Sequence, residues 1–166
     1  MSQTKQRSSK SSLNSIAARS LTCGQVMTVP NILHRDASVA DALDCITNND
    51  WDHVFIVNSE RVPIGRIHAV DILKLISKKK VNRDIAWMHA IPAKQLVATE
   101  TMSMSVSTPL LKAAALMLTN DINQLPVINS DGQLVGTVSH GTVARNLPRF
   151  IPVSYTHLRA HETLTD

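Results

Sequence analysis

Residues 52–68 read DHVFIVNSERVPIGRIH, and 71 positions later residues 123–139 read NQLPVINSDGQLVGTVS. In both copies a run of aliphatic residues meets an Asn-Ser turn, and a second apolar run carrying a glycine follows. That pattern reads as two short strands joined by a tight turn. At the same offset residues 39–76 lie over residues 110–147, 38 positions without a gap. Six pairs are identical: Ala42/Ala113, Asn49/Asn120, Asp50/Asp121, Asn58/Asn129, Ser59/Ser130 and Gly65/Gly136. Val54/Leu125, Ile56/Val127, Val57/Ile128, Ile64/Val135, Ile67/Val138 and Ile72/Val143 exchange one aliphatic for another, which preserves a buried pattern. The chain is an internal duplication.

Ahead of the first strand, Val39, Ala42, Leu43 and Ile46 recur at helical spacing after Asp36 and Ser38, both favourable near a helix N-terminus. The helix is predicted to end near Asn48 and Asn49. Strands are predicted over 53–57 and 63–68, with Asn58-Ser59-Glu60 between them. Val70, Ile72, Leu73 and Ile76 then form an amphipathic helix running into Lys78, Lys79 and Lys80, cations that suit a helix C-terminus. In the second copy Thr108-Pro109 opens a helix over 110–119, strands over 124–128 and 134–139 flank Asn129-Ser130-Asp131-Gly132, and Pro148 stops a helix over 141–147. A short strand is predicted before each unit's first helix, around 32–34 and 104–106. The unit is β-α-β-β-α, twice, an α/β (α+β) architecture with a first repeat over 21–80, a linker over 81–96 and a second repeat over 97–151.

Composition narrows the function classes. The chain of 166 residues is 43% hydrophobic and 18% charged but only 3% aromatic, so aliphatic residues and methionine must fill its core, with Met102, Met104 and Met117 as fillers and Trp51 and Trp87 as isolated packing anchors. No apolar run approaches the ~20 residues of a membrane span. Cys23 and Cys45 have neither zinc-ligand nor CxxC spacing, which fits a reduced, cytoplasmic setting without metal or disulfide. The net charge of +4 is concentrated in the first 35 residues, where Lys5, Arg7, Lys10, Arg19 and Arg35 meet no acid. Residues 1–20 are rich in Ser, Lys and Arg and are expected to be a disordered basic tail; organelle targeting peptides share that composition, and nucleic-acid binding through the tail is a third functional class. Residues 152–166 have no counterpart after Ile76 and resemble translated adapter read-through, so they are expected to lie outside the fold, the genuine chain then being free to continue past about residue 152. Neither a catalytic triad order nor paired carboxylates, GxGxxG, GxxxxGK[ST] or HExxH occurs, which points away from an enzyme.

The duplicated unit resembles the CBS-domain family. The likeness rests on Val26-Met27-Thr28 at the opening, on Asn123-Gln124-Leu125-Pro126-Val127-Ile128, and on Pro63-Ile64-Gly65-Arg66-Ile67-His68 with Leu134-Val135-Gly136-Thr137-Val138-Ser139, and it covers residues from about 22 to 150. It implies two repeats packed sheet to sheet with pseudo-twofold symmetry, a module that often pairs into a homodimer, and a regulatory role in which AMP, ADP or ATP binds between the repeats. A scaffold or partner-binding module with decayed sites is the alternative; a regulated partner protein or fused domain is implied by either.

Nucleotide sites in that family use a Gly-hydrophobic-hydrophobic-Ser/Thr-x-x-Asp segment where strand passes into helix. A helix N-terminus offers free N–H groups and partial positive charge to phosphate, and a carboxylate one turn in can accept both ribose hydroxyls. In the first repeat Gly65, Ile67 and Asp71 match, while Arg66 stands in a hydrophobic place and His68 in the Ser/Thr place. In the second, Gly136, Val138 and Ser139 match, Thr137 is less apolar, and Thr142 replaces the Asp. The candidate binding residues are therefore Ile67, His68, Asp71, Val138, Ser139, His140 and Thr142. Asp71 equally favours the helix dipole, and Ser139 equally serves as an N-cap.

Overall fold

The computed structural model describes residues 21–49, 52–78, 85–97 and 102–150. The expectations for residues 1–20 and 152–166, for Trp51, and for Lys79 and Lys80 lie outside the described residues. In chain order the elements are α1 (Cys23–Val26), β1 (Ile32–His34), α2 (Val39–Asn49), β2 (His53–Val57), β3 (Pro63–His68), α3 (Ala69–Ile76), α4 (Ile85–Ala90), a 3-10 turn (Ala93–Leu96), β4 (Met104–Ser105), α5 (Leu110–Thr119), β5 (Gln124–Ile128), β6 (Leu134–Ser139), α6 (His140–Asn146) and a second 3-10 turn (Leu147–Arg149).

Each repeat forms a three-stranded sheet, β1-β2-β3 or β4-β5-β6, with a short parallel outer strand beside an antiparallel hairpin. His53 faces His68 and Gln124 faces Ser139, and the hairpin bulges fall at Ile56/Val57 and at Val127/Ile128. The register therefore repeats at the sequence offset. Three of the identical pairs hold matching jobs. Asn58 Oδ1 accepts from the N–H of Glu60 and Val62 at 3.0 and 2.9 Å, and Asn129 Oδ1 from Asp131 and Gln133 at 3.0 and 2.9 Å, closing each hairpin turn. The Asn49 and Asn120 amides donate to the carbonyls of Cys45 and Leu116. A Cβ on Gly65 would run into Val97, and one on Gly136 into Met27. Where the second turn uses Gly132 at φ 78°, the first forces Arg61 to φ 66°.

Two cores follow from the strand alternation. Val54, Ile56 and Ile67 pack against α2, α3 and α4, and Leu125, Val127 and Val138 pack against α5 and α6. The opposite faces meet: Phe55, Val57 and Leu134 are buried together with Ile32 beside them. Across this seam Leu134 N–H donates to Arg61 O at 2.9 Å, and Arg61 Nε donates to Leu134 O at 3.0 Å.

Two straps cover the repeats, which the sequence does not announce. Residues 21–28, at the opening of the first repeat, pack on the second: Cys23 is in its core, Leu110 N–H donates to Leu21 O at 2.8 Å, Cys23 N–H to Thr108 O at 2.8 Å, and Thr28 pairs with Thr137 in both directions at 3.0 Å. Residues 91–97 return the contact to the first repeat, with Val39 N–H donating to Ile91 O and Ala93 N–H to Ala37 O, both at 2.8 Å. Each strap satisfies backbone donors at the start of a helix.

Local chemistry departs from expectation in four places. Ser38, not Asp36, caps α2: Asp41 N–H donates to Ser38 Oγ at 3.1 Å and Ser38 N–H donates to Asp41 Oδ2 at 2.8 Å, a capping box. Asp36 instead pairs with His34 at the surface. Helix α6 begins at His140, not Gly141, and ends at Asn146, with Pro148 inside the 3-10 turn that follows rather than at a sharp stop. Met104 and Met117 are buried as core fillers, but Met102 is exposed, whereas Trp87 packs against the first core.

Candidate functional site

Strand β3 passes into α3 and β6 into α6 at equivalent positions, and each junction is closed by its own residues. At the first, His68 N–H donates to Asp71 Oδ2 at 2.9 Å. This cap uses one carboxylate oxygen of a half-buried side chain and leaves Oδ1. At the second, Thr142 N–H donates to Ser139 Oγ at 3.1 Å, Ser139 N–H donates to Thr142 Oγ1 at 3.2 Å, and the two hydroxyls stand 3.1 Å apart. Thr142 is 2% exposed. The hydroxyls there are turned on each other.

The structure brings His68 and Asp71 together at one junction and Ser139, His140 and Thr142 at the other. His140 is exposed and donates its N–H to Asn123 O at 3.3 Å. Ile67 and Val138 have no exposed surface and belong to the two cores.

Three further polar residues crowd the first junction. His53, only 2% exposed, lies across from His68 with ring centroids 5.8 Å apart, and its Nδ1 is 2.6 Å from Asp52 Oδ1. The Asp52 carbonyl accepts from Ala69 N–H at 2.7 Å, tying β2 to the first turn of α3. Arg66 shares the sheet face of His68, two residues away, and its Nη1 donates to Gln124 O of the second repeat at 3.0 Å. The signal for these residues lay in the repeat itself: His53 aligns with Gln124 and Arg66 with Thr137, polar replacements inside an otherwise conservative pairing.

Burial drives the His53 imidazole below the ordinary histidine range, against the pull of its hydrogen bond to Asp52. The same bond holds the Asp52 carboxyl below its ordinary value. Burial also lowers Arg66, with Asp52 and Asp71 acting in the opposite direction. For His53 the consequence has a definite sign. The unfolded chain takes up this proton near pH ~6.5, and the folded chain only at lower pH, so in between the unfolded state binds more protons and stability falls as pH falls. The melting temperature should decline from pH 7.5 to 5.5, and His53→Gln, which copies Gln124, should flatten that decline. An unchanged slope in the variant would assign the acid sensitivity to other groups; Asp52 acts only below its unfolded value of ~3.9.

Among the described residues no three His, Cys, Asp or Glu side chains are grouped to hold a metal, and no helix is long and apolar enough to cross a membrane. A family model described as CBS domain matches residues 23–78 and 93–149. The chain is 27% identical over 116 residues to an uncharacterized 17.7 kDa protein of Acidianus ambivalens, covering 70% of this chain and 66% of that protein. It is 27% identical over 158 residues to CBSX2, a chloroplastic CBS domain-containing protein of Arabidopsis thaliana, covering 80% and 66%. The chain thus spans about two thirds of the length of both relatives. The crystal structure of CBSX2 in complex with AMP matches with a TM-score of 0.65 at 25% identity, covering 76% of this chain and 95% of that one.

Proposed function

The chain belongs to the CBS-domain family, and from that premise we propose that it is a regulatory, non-catalytic module that binds an adenine nucleotide at the β3–α3 junction and transmits binding through the packing of its repeats. The observation that carries this reading is Asp71: its carboxylate stands in the first turn of α3, half-buried, with one oxygen on the His68 N–H and the other available to ribose hydroxyls. The AMP complex of CBSX2 supports the ligand class. Exposed Val70 and Leu73 on α3, and Leu111 and Leu118 on α5, supply apolar surface that a homodimer would cover.

The second junction favours a division of labour. With Thr142 buried and its hydroxyl shared with Ser139, that site lacks the carboxylate and serves the scaffold, the role assigned to the whole module by the alternative reading.

Ligand linkage tests the proposal. A ligand at about a hundred times its Kd stabilises the folded state by ~2.7 kcal/mol, which at ~2–4 °C per kcal/mol is roughly 5 to 10 °C. A thermal-shift panel of AMP, ADP, ATP, NAD and S-adenosylmethionine should give such a shift for at least one adenine nucleotide, and Asp71→Ala should abolish it while Ser139→Ala costs less. No shift with any of the five would favour the scaffold; a full shift in Asp71→Ala would place the ligand elsewhere.

A further inference from the structure

Among the described residues, Arg66 is a partly buried charge without an ion pair. A guanidinium carries several N–H donors in a planar fork; here one reaches Gln124 O at 3.0 Å, and the others meet no protein acceptor among the described residues. Arg66 forms no ion pair there either, although the charges of Asp52 and Asp71 act on it from beyond contact distance. A partly buried guanidinium without an ion pair leaves its remaining donors open to water or to an anion. The repeat partner of Arg66 is Thr137, so neither copy of this strand position carries an aliphatic side chain.

Its surroundings say which anion fits. Arg66 and His68 project from one face of β3, and His68 is the N-cap of α3. The guanidinium therefore lies on the approach to a helix N-terminus, flanked by two carboxylates that already hold donors: Asp52 the His53 ring, and Asp71 the His68 N–H. In the second repeat the same position holds Thr137, fully buried, whose hydroxyl accepts from Gln124 Nε2 at 2.7 Å and donates to Leu125 O at 3.1 Å. No cation stands there.

We infer that Arg66 is the residue that reads the phosphate of the ligand at the first junction, so that this site selects a nucleoside phosphate over the uncharged nucleoside. The inference rests on the nucleotide reading of the Asp71 junction and adds to it the residue that makes the phosphate necessary. Asp71 serves the ribose, which both compounds carry; Arg66 serves the group that only one carries. A planar fork can hold two phosphate oxygens at once, which a lysine ammonium cannot.

Calorimetric titration of the full chain with AMP and with adenosine, in the wild type, Arg66→Met and Arg66→Lys, tests the role. The wild type should bind AMP at least roughly 10-fold more tightly than adenosine. Arg66→Met should weaken AMP roughly 10- to 100-fold and leave adenosine unchanged. Arg66→Lys should fall between, and it decides the matter if Arg66→Met melts too low to titrate. Equal loss for both ligands in Arg66→Met, or no loss for AMP, would overturn the phosphate role, as would equal affinity of the wild type for the two compounds. Failure of the wild type to bind either would overturn the nucleotide reading and this role with it, so the two failures are distinguishable.

Discussion

Phe55→Ala is expected to cost about 3–5 kcal/mol of folding stability, in the range for aromatic-to-alanine changes in a core. Phe55 has no exposed surface and lies in the middle of β2, on the face turned to the other repeat, where it is buried with Val57 and Leu134. Its ring meets His53 edge-on with centroids 5.3 Å apart. The residue at the equivalent place in the second repeat is Pro126, so the large ring has no counterpart there. At ~2–4 °C per kcal/mol the melting temperature should fall by roughly 6 to 20 °C, and a urea titration should show the midpoint shift with little change in slope. Loss below about 1 kcal/mol would mean that the sheets close over the gap and that the seam contributes little to the fold.

The order of strands and helices was legible because the duplication supplies two readings of each element. A conservative aliphatic exchange such as Ile67/Val138 marks a buried strand position twice, and the Asn58/Asn129 identity marks a turn whose side chain closes it. The straps were not legible. Residues 21–28 and 91–97 have no apolar periodicity of their own, and what they do depends on which repeat lies beside them in space. Helix α4 at Ile85–Ala90 escaped for the same reason: it is short and owes its place to contact with α2 and the first core. At the candidate site the residue types were legible and their availability was not. Asp71 and Thr142 occupy matching positions, yet burial of Thr142 and its bond with Ser139 are tertiary facts. Arg66 showed in the sequence only as a departure from a pattern; its lone acceptor lies 58 positions away, across the seam.

The straps predict a second large effect. Deleting residues 1–28 should remove the cooperative transition or lower its midpoint by roughly 15 °C or more, while deleting residues 1–20 should leave it in place. The longer deletion takes Leu21, Cys23, Val26 and Met27 from the second core and uncovers Leu110, Met117 and Val138 behind them. Fully burying a side chain of this size is worth about 1.5–3 kcal/mol; with Cys23 fully buried and Leu21, Val26 and Met27 partly so, the loss is a large share of the ~5–15 kcal/mol that holds a whole domain. Backbone donors are stranded too: Leu110 N–H loses Leu21 O, and Thr137 N–H loses Thr28 O, the latter on a fully buried residue. An unpaired buried donor costs about 1–3 kcal/mol. Residues 91–97, largely in the segment between the repeats, serve the first repeat in the same way, with Val39 N–H on Ile91 O and Ala93 N–H on Ala37 O, so neither repeat is complete without a segment that lies outside its own strands and helices. A midpoint that falls as far with residues 1–20 removed would place the stabilising contacts outside the strap; one that survives removal of residues 1–28 would show that the strap is dispensable.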